Sequence, residues 1–219
     1  LNGYCMPYIF AREFGEIYKY AATHNMIADD YDSLLGMWGV QSPNYYMMGR
    51  LNVDPTLDVD DVMNDYYGSF GPASSQIEKY FSHWESVTAK CDSDFRAKGG
   101  GWGFVSFDGD EIFTPETFVI GNKLLQEAKT AAAGNAEVSQ RLEYLDLWLQ
   151  HADLSMQALA AFHAQRKNSK DAQLKSTFDQ AKLAVDTFRD AHPDLIVNVG
   201  VLQQLEVWAG WRKTAELTA

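Results

Sequence analysis

Residues 138–188 read VSQRLEYLDLWLQHADLSMQALAAFHAQRKNSKDAQLKSTFDQAKLAVDTF. Val138, Leu142, Leu145, Leu149, Ala152, Met156 and Leu159 alternate steps of four and three, and Leu174, Phe178, Ala181, Val185 and Phe188 do the same. That spacing places the apolar side chains of each run on one helix face. Lys167-Asn168-Ser169-Lys170 separates the runs as a polar turn. The segment is expected to form an antiparallel helical hairpin over 138–167 and 171–191 with coiled-coil-like packing. Leu145, Leu149 and Met156 would then face Phe178, Ala181 and Val185.

The helical pattern continues on both sides. Pro193 stops the second helix, and a last one carries Leu202, Leu205, Trp208 and Trp211. Upstream, Thr114-Pro115-Glu116 pairs a capping residue with proline at the first helical position, and Gly134-Asn135 ends that helix. Gly71-Pro72 starts a helix through Ile77, Tyr80, Phe81, Trp84 and Val87 to about Cys91. Asp58 caps one that buries Val59, Val62, Met63, Tyr66, Tyr67 and Phe70. Pro43 opens another, which Asp54-Pro55 breaks. Phe10, Phe14, Ile17, Tyr18 and Ala21 predict a helix over 7–24, with Pro7 at an early position. The apolar run Ser33-Leu34-Leu35-Gly36-Met37-Trp38 is short and reads as a buried strand; a second strand is expected near 103–113. A lone strand between helices is the repeat unit of a (β/α) barrel. The fold class is thus mainly α, a helical bundle region preceded by the last strand/helix unit of an incomplete (β/α) barrel. Residues 1–52 would be the barrel end and 53–219 the helical domain. The apolar start of the chain looks like the interior of a fold, so a cut or maturation site is expected at Leu1.

With 46% hydrophobic residues, the chain has ample apolar surface to bury. A net charge of −12 argues against a nucleic-acid binder, which needs a basic face, and against an anionic membrane surface. No run is long and apolar enough to span a bilayer. Cys5 and Cys91 fit either one disulfide or two unpaired core thiols.

Little in the sequence has the spacing of catalytic chemistry. His24, His83, His151, His163 and His192 include no pair three or four residues apart, so no metal site is expected and each reads as a surface or packing residue. Gly99 to Phe104 lacks the Gly-Lys-Ser/Thr ending of a phosphate loop and reads as a surface loop, though Trp102 and Phe104 could cover a ligand. Tyr66, Tyr67, Tyr80 and Trp84 read as core. Trp38 stands apart. At the C-terminal end of a barrel strand its indole would be a platform for the apolar face of a sugar ring; in a helical protein it would be a buried core residue.

Several passages together resemble a known family: Leu35-Gly36-Met37-Trp38-Gly39, Ser42-Pro43-Asn44-Tyr45-Tyr46, Asp54-Pro55-Thr56-Leu57-Asp58, Asp65-Tyr66-Tyr67 and Phe70-Gly71-Pro72-Ala73. The likeness, over residues 1 to 90, is to the C-terminal half of bacterial glycoside-hydrolase-like proteins allied to glycoside hydrolase family 163, and more distantly to families 20 and 67. It implies the C-terminal portion of a secreted or periplasmic enzyme acting on complex polysaccharides or glycans. Its catalytic carboxylates would sit on an upstream barrel domain, with no cofactor. The chain alone is not expected to be catalytic. Trp38 is the leading substrate-binding candidate, followed by Asp32, Gln41 and Asn44. Partners would be a carbohydrate, through the parent protein, and the upstream barrel domain, with no nucleic acid and no membrane. The alternative is a non-catalytic helical interaction or scaffolding module presenting the hairpin.

Overall fold

A computed structural model of the chain describes residues 3–31, 35–97, 104–196 and 198–217. Helices dominate, in the order α1 (Ala11–Thr23), α2 (Trp38–Val53), α3 (Val59–Gly68), α4 (Ser74–Ala97), α5 (Phe104–Asp108), α6 (Pro115–Ala131), α7 (Ala136–Lys167), α8 (Ala172–Ala191) and α9 (Val199–Ala209). No strand occurs among the described residues, and none of their helices is long and apolar enough to cross a membrane. Polar caps start several helices, Asp58 as expected and Asp171 and Asn135 besides, whereas Thr114 precedes α6 without a side-chain cap bond. Asp58 accepts from the backbone N–H groups of Asp60 and Asp61, Asp171 from those of Gln173 and Leu174, and Asn135 from Val138.

The 32-residue α7 is the pillar of the fold. Its buried residues, from Val138 to Phe162, include Trp148 and His151 as well as the leucine stripe. They meet α6 and α2 as well as α8. The hairpin with α8 is present, but its register differs from the expected one. Phe162 meets Phe178 with ring centroids 5.5 Å apart, and His151 meets Phe188 at 5.8 Å. Leu145 instead lines a cleft beside α2, and Met156 lies against Gly109. The physical reason is that α7 packs against several elements, so one heptad stripe does not reveal which partner each leucine meets. Trp148 seats α2: a Cβ built on Gly39 would lie 1.9 Å from its ring. Pro43 does not open α2 but sits inside it, five residues after its start at Trp38.

Two further expectations are corrected. The strand near 33–38 is not formed at 35–38. Gly36 adopts a left-handed φ of 72°, Trp38 N–H donates to the Gly36 carbonyl at 2.9 Å, and Asn198 Nδ2 donates to the Leu35 carbonyl at 2.6 Å. A left-handed glycine turns the chain out of an extended ladder and into α2. Ser33 and Leu34 lie outside the described residues. The strand near 103–113 is replaced, over 104–113, by α5 and a 3-10 turn at Gly109–Glu111, residue 103 lying outside the described residues.

The helix foreseen from residue 7 begins at Ala11. Tyr4, Cys5, Met6, Tyr8 and Ile9 form a buried non-helical segment. Distant side chains satisfy its backbone. Gln41 Nε2 donates to the Met6 carbonyl at 3.1 Å, Asn44 Nδ2 donates to that of Tyr8 at 2.8 Å, and Ile9 N–H donates to Thr88 Oγ1 at 2.8 Å. Cys5 and Cys91 are both buried and are not joined in a disulfide. The apolar core runs without interruption from Tyr4 to Trp211.

A buried charge network closes the fold. Glu206, with no exposed surface, accepts from Tyr4 Oη at 2.6 Å, from Arg189 Nη2 at 2.6 Å and from Arg212 Nε. Arg212 also grips Asp186, with Nη2 to Oδ1 at 2.6 Å. Arg189 Nε donates to His151 Nε2 at 3.0 Å, so the ring accepts there and carries its proton on Nδ1. Burial, reinforced by the Arg189 charge, pushes the His151 pKa well below its ordinary value. Burial lowers the Arg189 pKa, but the Glu206 carboxylate outweighs it, so the net shift is upward and the guanidinium stays charged. Burial also drives the Cys5 thiol up to about 12.

Two outcomes follow from this packing. On an open helix surface, Gly→Ala stabilises by about 1 kcal/mol. Here the methyl would collide with Trp148, and Gly39→Ala is expected to destabilise by about 3 kcal/mol in urea denaturation. The folded state binds His151 only in its neutral form, whereas the unfolded chain protonates it near pH 6.5. That contribution is full above about pH 6.5 and is lost as pH falls through it, at a slope approaching about 1.4 kcal/mol per pH unit. His151→Gln, which keeps an acceptor for Arg189, should lower that slope in denaturation curves measured between about pH 5 and 7.

Candidate functional site

The described structure places Trp38 at the first turn of α2 with 53% of its surface exposed. A Trp at a helical position facing the core would be covered; this one is not. Its indole packs edge-on against Tyr45, centroids 4.7 Å apart. Tyr45 Oη is fixed on two sides, accepting from Met37 N–H at 3.3 Å and donating to Gln41 Oε1 at 3.2 Å. The platform therefore has a rigid backing.

In front of it lies a cleft of about 430 Å³ between α2, α3 and α7. Trp38, Tyr66, Phe70 and Tyr144 supply aromatic walls, and Leu145 belongs to the lining. Ser42, Ser69, Gln140 and Arg141 supply polar groups. Tyr66 is the hub of the wall. Its ring meets Tyr46, Phe70 and Phe81 at 5.4, 5.7 and 5.6 Å, and its hydroxyl is 2.7 Å from Ser42 Oγ. Burial raises the pKa of both Tyr66 and Tyr45, so these phenols are hydrogen-bonding groups and not acids at neutral pH. Arg141 is held by the Ser69 carbonyl and by Glu137, whose Oε1 is 2.5 Å from Nη2.

Such an arrangement can hold a ring with one apolar face and hydroxyls at its edge. The described lining residues include no carboxylate. Glycosidic cleavage needs two carboxylates across the scissile bond, so this lining is suited to contact and orientation. Among the described residues no group of three or more His, Cys, Asp or Glu is placed to hold a metal ion.

The other sequence candidates fall elsewhere. Gln41 and Asn44 are buried. Gln41 Oε1 accepts from the Tyr45 hydroxyl and its Nε2 donates to the Tyr4 and Met6 carbonyls, while Asn44 spends its amide on the buried 3–10 segment, where its Oδ1 also accepts from Phe10 N–H at 2.9 Å. They do not line the cleft. Asp32 lies outside the described residues, as do Trp102 and the side chain of Phe104. Sequence reading missed Tyr144, Arg141 and Phe70. Tyr144 and Arg141 sit off the leucine stripe of α7, and an aromatic off that stripe was the available signal.

No family model, curated protein or solved structure matches this chain.

Because the Asn44 amide serves both the Tyr8 carbonyl and the Phe10 N–H, Asn44→Ala strands two buried backbone groups. It is expected to cost about 3 kcal/mol of stability in denaturant titrations while leaving ligand affinity at the cleft of the folded protein unchanged.

Proposed function

We propose that the chain is the helical C-terminal portion of a glycoside-hydrolase-type protein acting on complex polysaccharides or glycans. In this reading its Trp38 cleft is a carbohydrate-contact subsite. The observation that carries it is the half-exposed Trp38 indole at the mouth of a cleft walled by Tyr66, Phe70 and Tyr144 and edged by hydroxyl, amide and guanidinium groups. Aromatic faces take up the C–H face of a pyranose, and the polar edge meets its hydroxyls. The passages that resemble the family include both Trp38 and Tyr66, so the resemblance and the cleft fall on the same residues. Cleavage itself would belong to carboxylates on an upstream barrel, and the parent protein would be secreted or periplasmic. The described residues contribute no barrel strand, so the reading now places the barrel outside them.

The second reading, a helical interaction module, draws on exposed Ile17, Tyr20 and Ile27 on and just beyond α1. The two readings part at Trp38, which lies on a different element.

The test is calorimetric titration with neutral oligosaccharides, alongside thermal melting. Trp38→Ala should weaken binding roughly tenfold, the loss of about 1.4 kcal/mol of stacking. Its stability cost should stay below about 1 kcal/mol, because the side chain is half-exposed. Undiminished affinity in that variant would remove the sugar subsite. A stability loss of about 3 to 5 kcal/mol, the range for a buried Trp, would make the residue structural.

A further inference from the structure

A second pocket, of about 410 Å³, lies at the far end of α7 from the aromatic cleft, where the 3-10 turn at Gly109–Glu111 meets the last helical turns. It is lined by Asp108, Asp110, Glu111, His163, Arg166 and Lys167. Most of the wall is charged and of both signs, unlike the aromatic cleft.

Two groups within it are built in. His163 and Asp110 are mostly buried, and His163 Nδ1 is 3.1 Å from Asp110 Oδ2. A carboxylate only accepts, so Nδ1 carries the proton and donates it. The other ring nitrogen, Nε2, is the one left to meet a ligand. It has no hydrogen-bond partner among the described residues, and the His163 side chain lines the pocket. Asp110 Oδ1 is buried without a hydrogen-bond partner. Gly109 fixes the turn from behind, since a Cβ there would stand 3.3 Å from both Met156 Sδ and Val105 Cγ1. Arg166 is steadied by its guanidinium lying 5.5 Å from the centroid of the Phe162 ring. No carboxylate is paired with Arg166 or Lys167 among the described residues.

The geometry points to a binding site for a small hydroxylated anion, the chemistry shared by sugar acids and sugar phosphates. Its hydroxyls would donate to His163 Nε2 and to the Asp110 carboxylate, and its anionic group would be met by Arg166 and Lys167. A bare cation would meet the two positive side chains, and a neutral polyol would leave them unused. The inference does not rest on the sugar reading of the Trp38 cleft, which lies on other residues.

The test follows the His163 imidazole by NMR in the full chain, assigned with His163→Gln. Glucuronate, glycerol 3-phosphate, inorganic phosphate and neutral glucose are added separately. A saturable shift with glucuronate or glycerol 3-phosphate supports the site, and which of the two acts identifies the carboxylate or the phosphate as its natural anion. In the double variant Arg166→Ala, Lys167→Ala, both surface positions, that affinity should fall about tenfold or more. Trp38→Ala should leave it unchanged. No saturable shift with either hydroxylated anion overturns the proposal. So does equal affinity in the double variant, or inorganic phosphate or glucose binding as tightly as the hydroxylated anions.

Discussion

The Glu206 carboxylate has no surface open to solvent, and the fold is arranged to answer it. A lone ion in an apolar interior costs several kcal/mol, so it persists only with charged partners and satisfied lone pairs. Its partners come from different parts of the chain. Tyr4 belongs to the buried N-terminal segment, Arg189 to α8, and Arg212 to the tail beyond α9. Asp186 then balances Arg212, and His151 on α7 caps Arg189 from the other side. Such a network adds little net stability over an apolar equivalent, but loss of any one partner leaves a buried charge exposed to the full penalty. It therefore selects one arrangement of α7, α8, α9 and the segment around Tyr4.

Much of this fold could be read from the amino acids, and the failures are local. The leucine spacing of α7 and α8 gave the hairpin, since periodicity reports that a face is buried. It does not report against what, so α7 was read as one of a pair when it is the pillar beneath α2, α6 and α8. The run at 33–38 looked like a strand because a short apolar stretch has no period of its own. Left-handed Gly36 and the Asn198 amide, 163 residues from Leu35, decide it otherwise. Residues 3–10 escaped for the same reason: their hydrogen bonds go to Gln41, Asn44 and Thr88, which local spacing cannot reveal.

The same misreading decided the outcome at the candidate site. On a helix, Trp38, Ser42 and Tyr45 follow one face, Asn44 lies well round from it, and Gln41 falls between them. Grouping Trp38 with Asn44 mixed the outer face of α2 with its inner one. Trp38 was singled out as the end of a barrel strand, but it borders the cleft from the first turn of α2. Glu206 also left a trace, a single carboxylate flanked by Leu205 and Val207. Its meaning depends on Arg189 and Arg212, whose proximity is tertiary. His163 and Asp110 are 53 residues apart and left no spacing signal at all.

The bond between Tyr4 and Glu206 spans 202 residues. On a ribosome adding about 5 to 20 residues per second, roughly 10 to 40 s separate the appearance of the two. Once α2 is made, the apolar stretch around Met6 and Ile9 has its amide clamps, but the Tyr4 hydroxyl still lacks the Glu206 acceptor. Arg189 likewise emerges 17 residues ahead of the carboxylate that will neutralise it. The nascent chain can therefore pair its early helices, but the final docking waits for α9 and the turn after it. Docking of the Tyr4 segment is therefore gated by α9, and until that helix is made the stretch around Met6 and Ile9 stays open to whatever chaperone meets it.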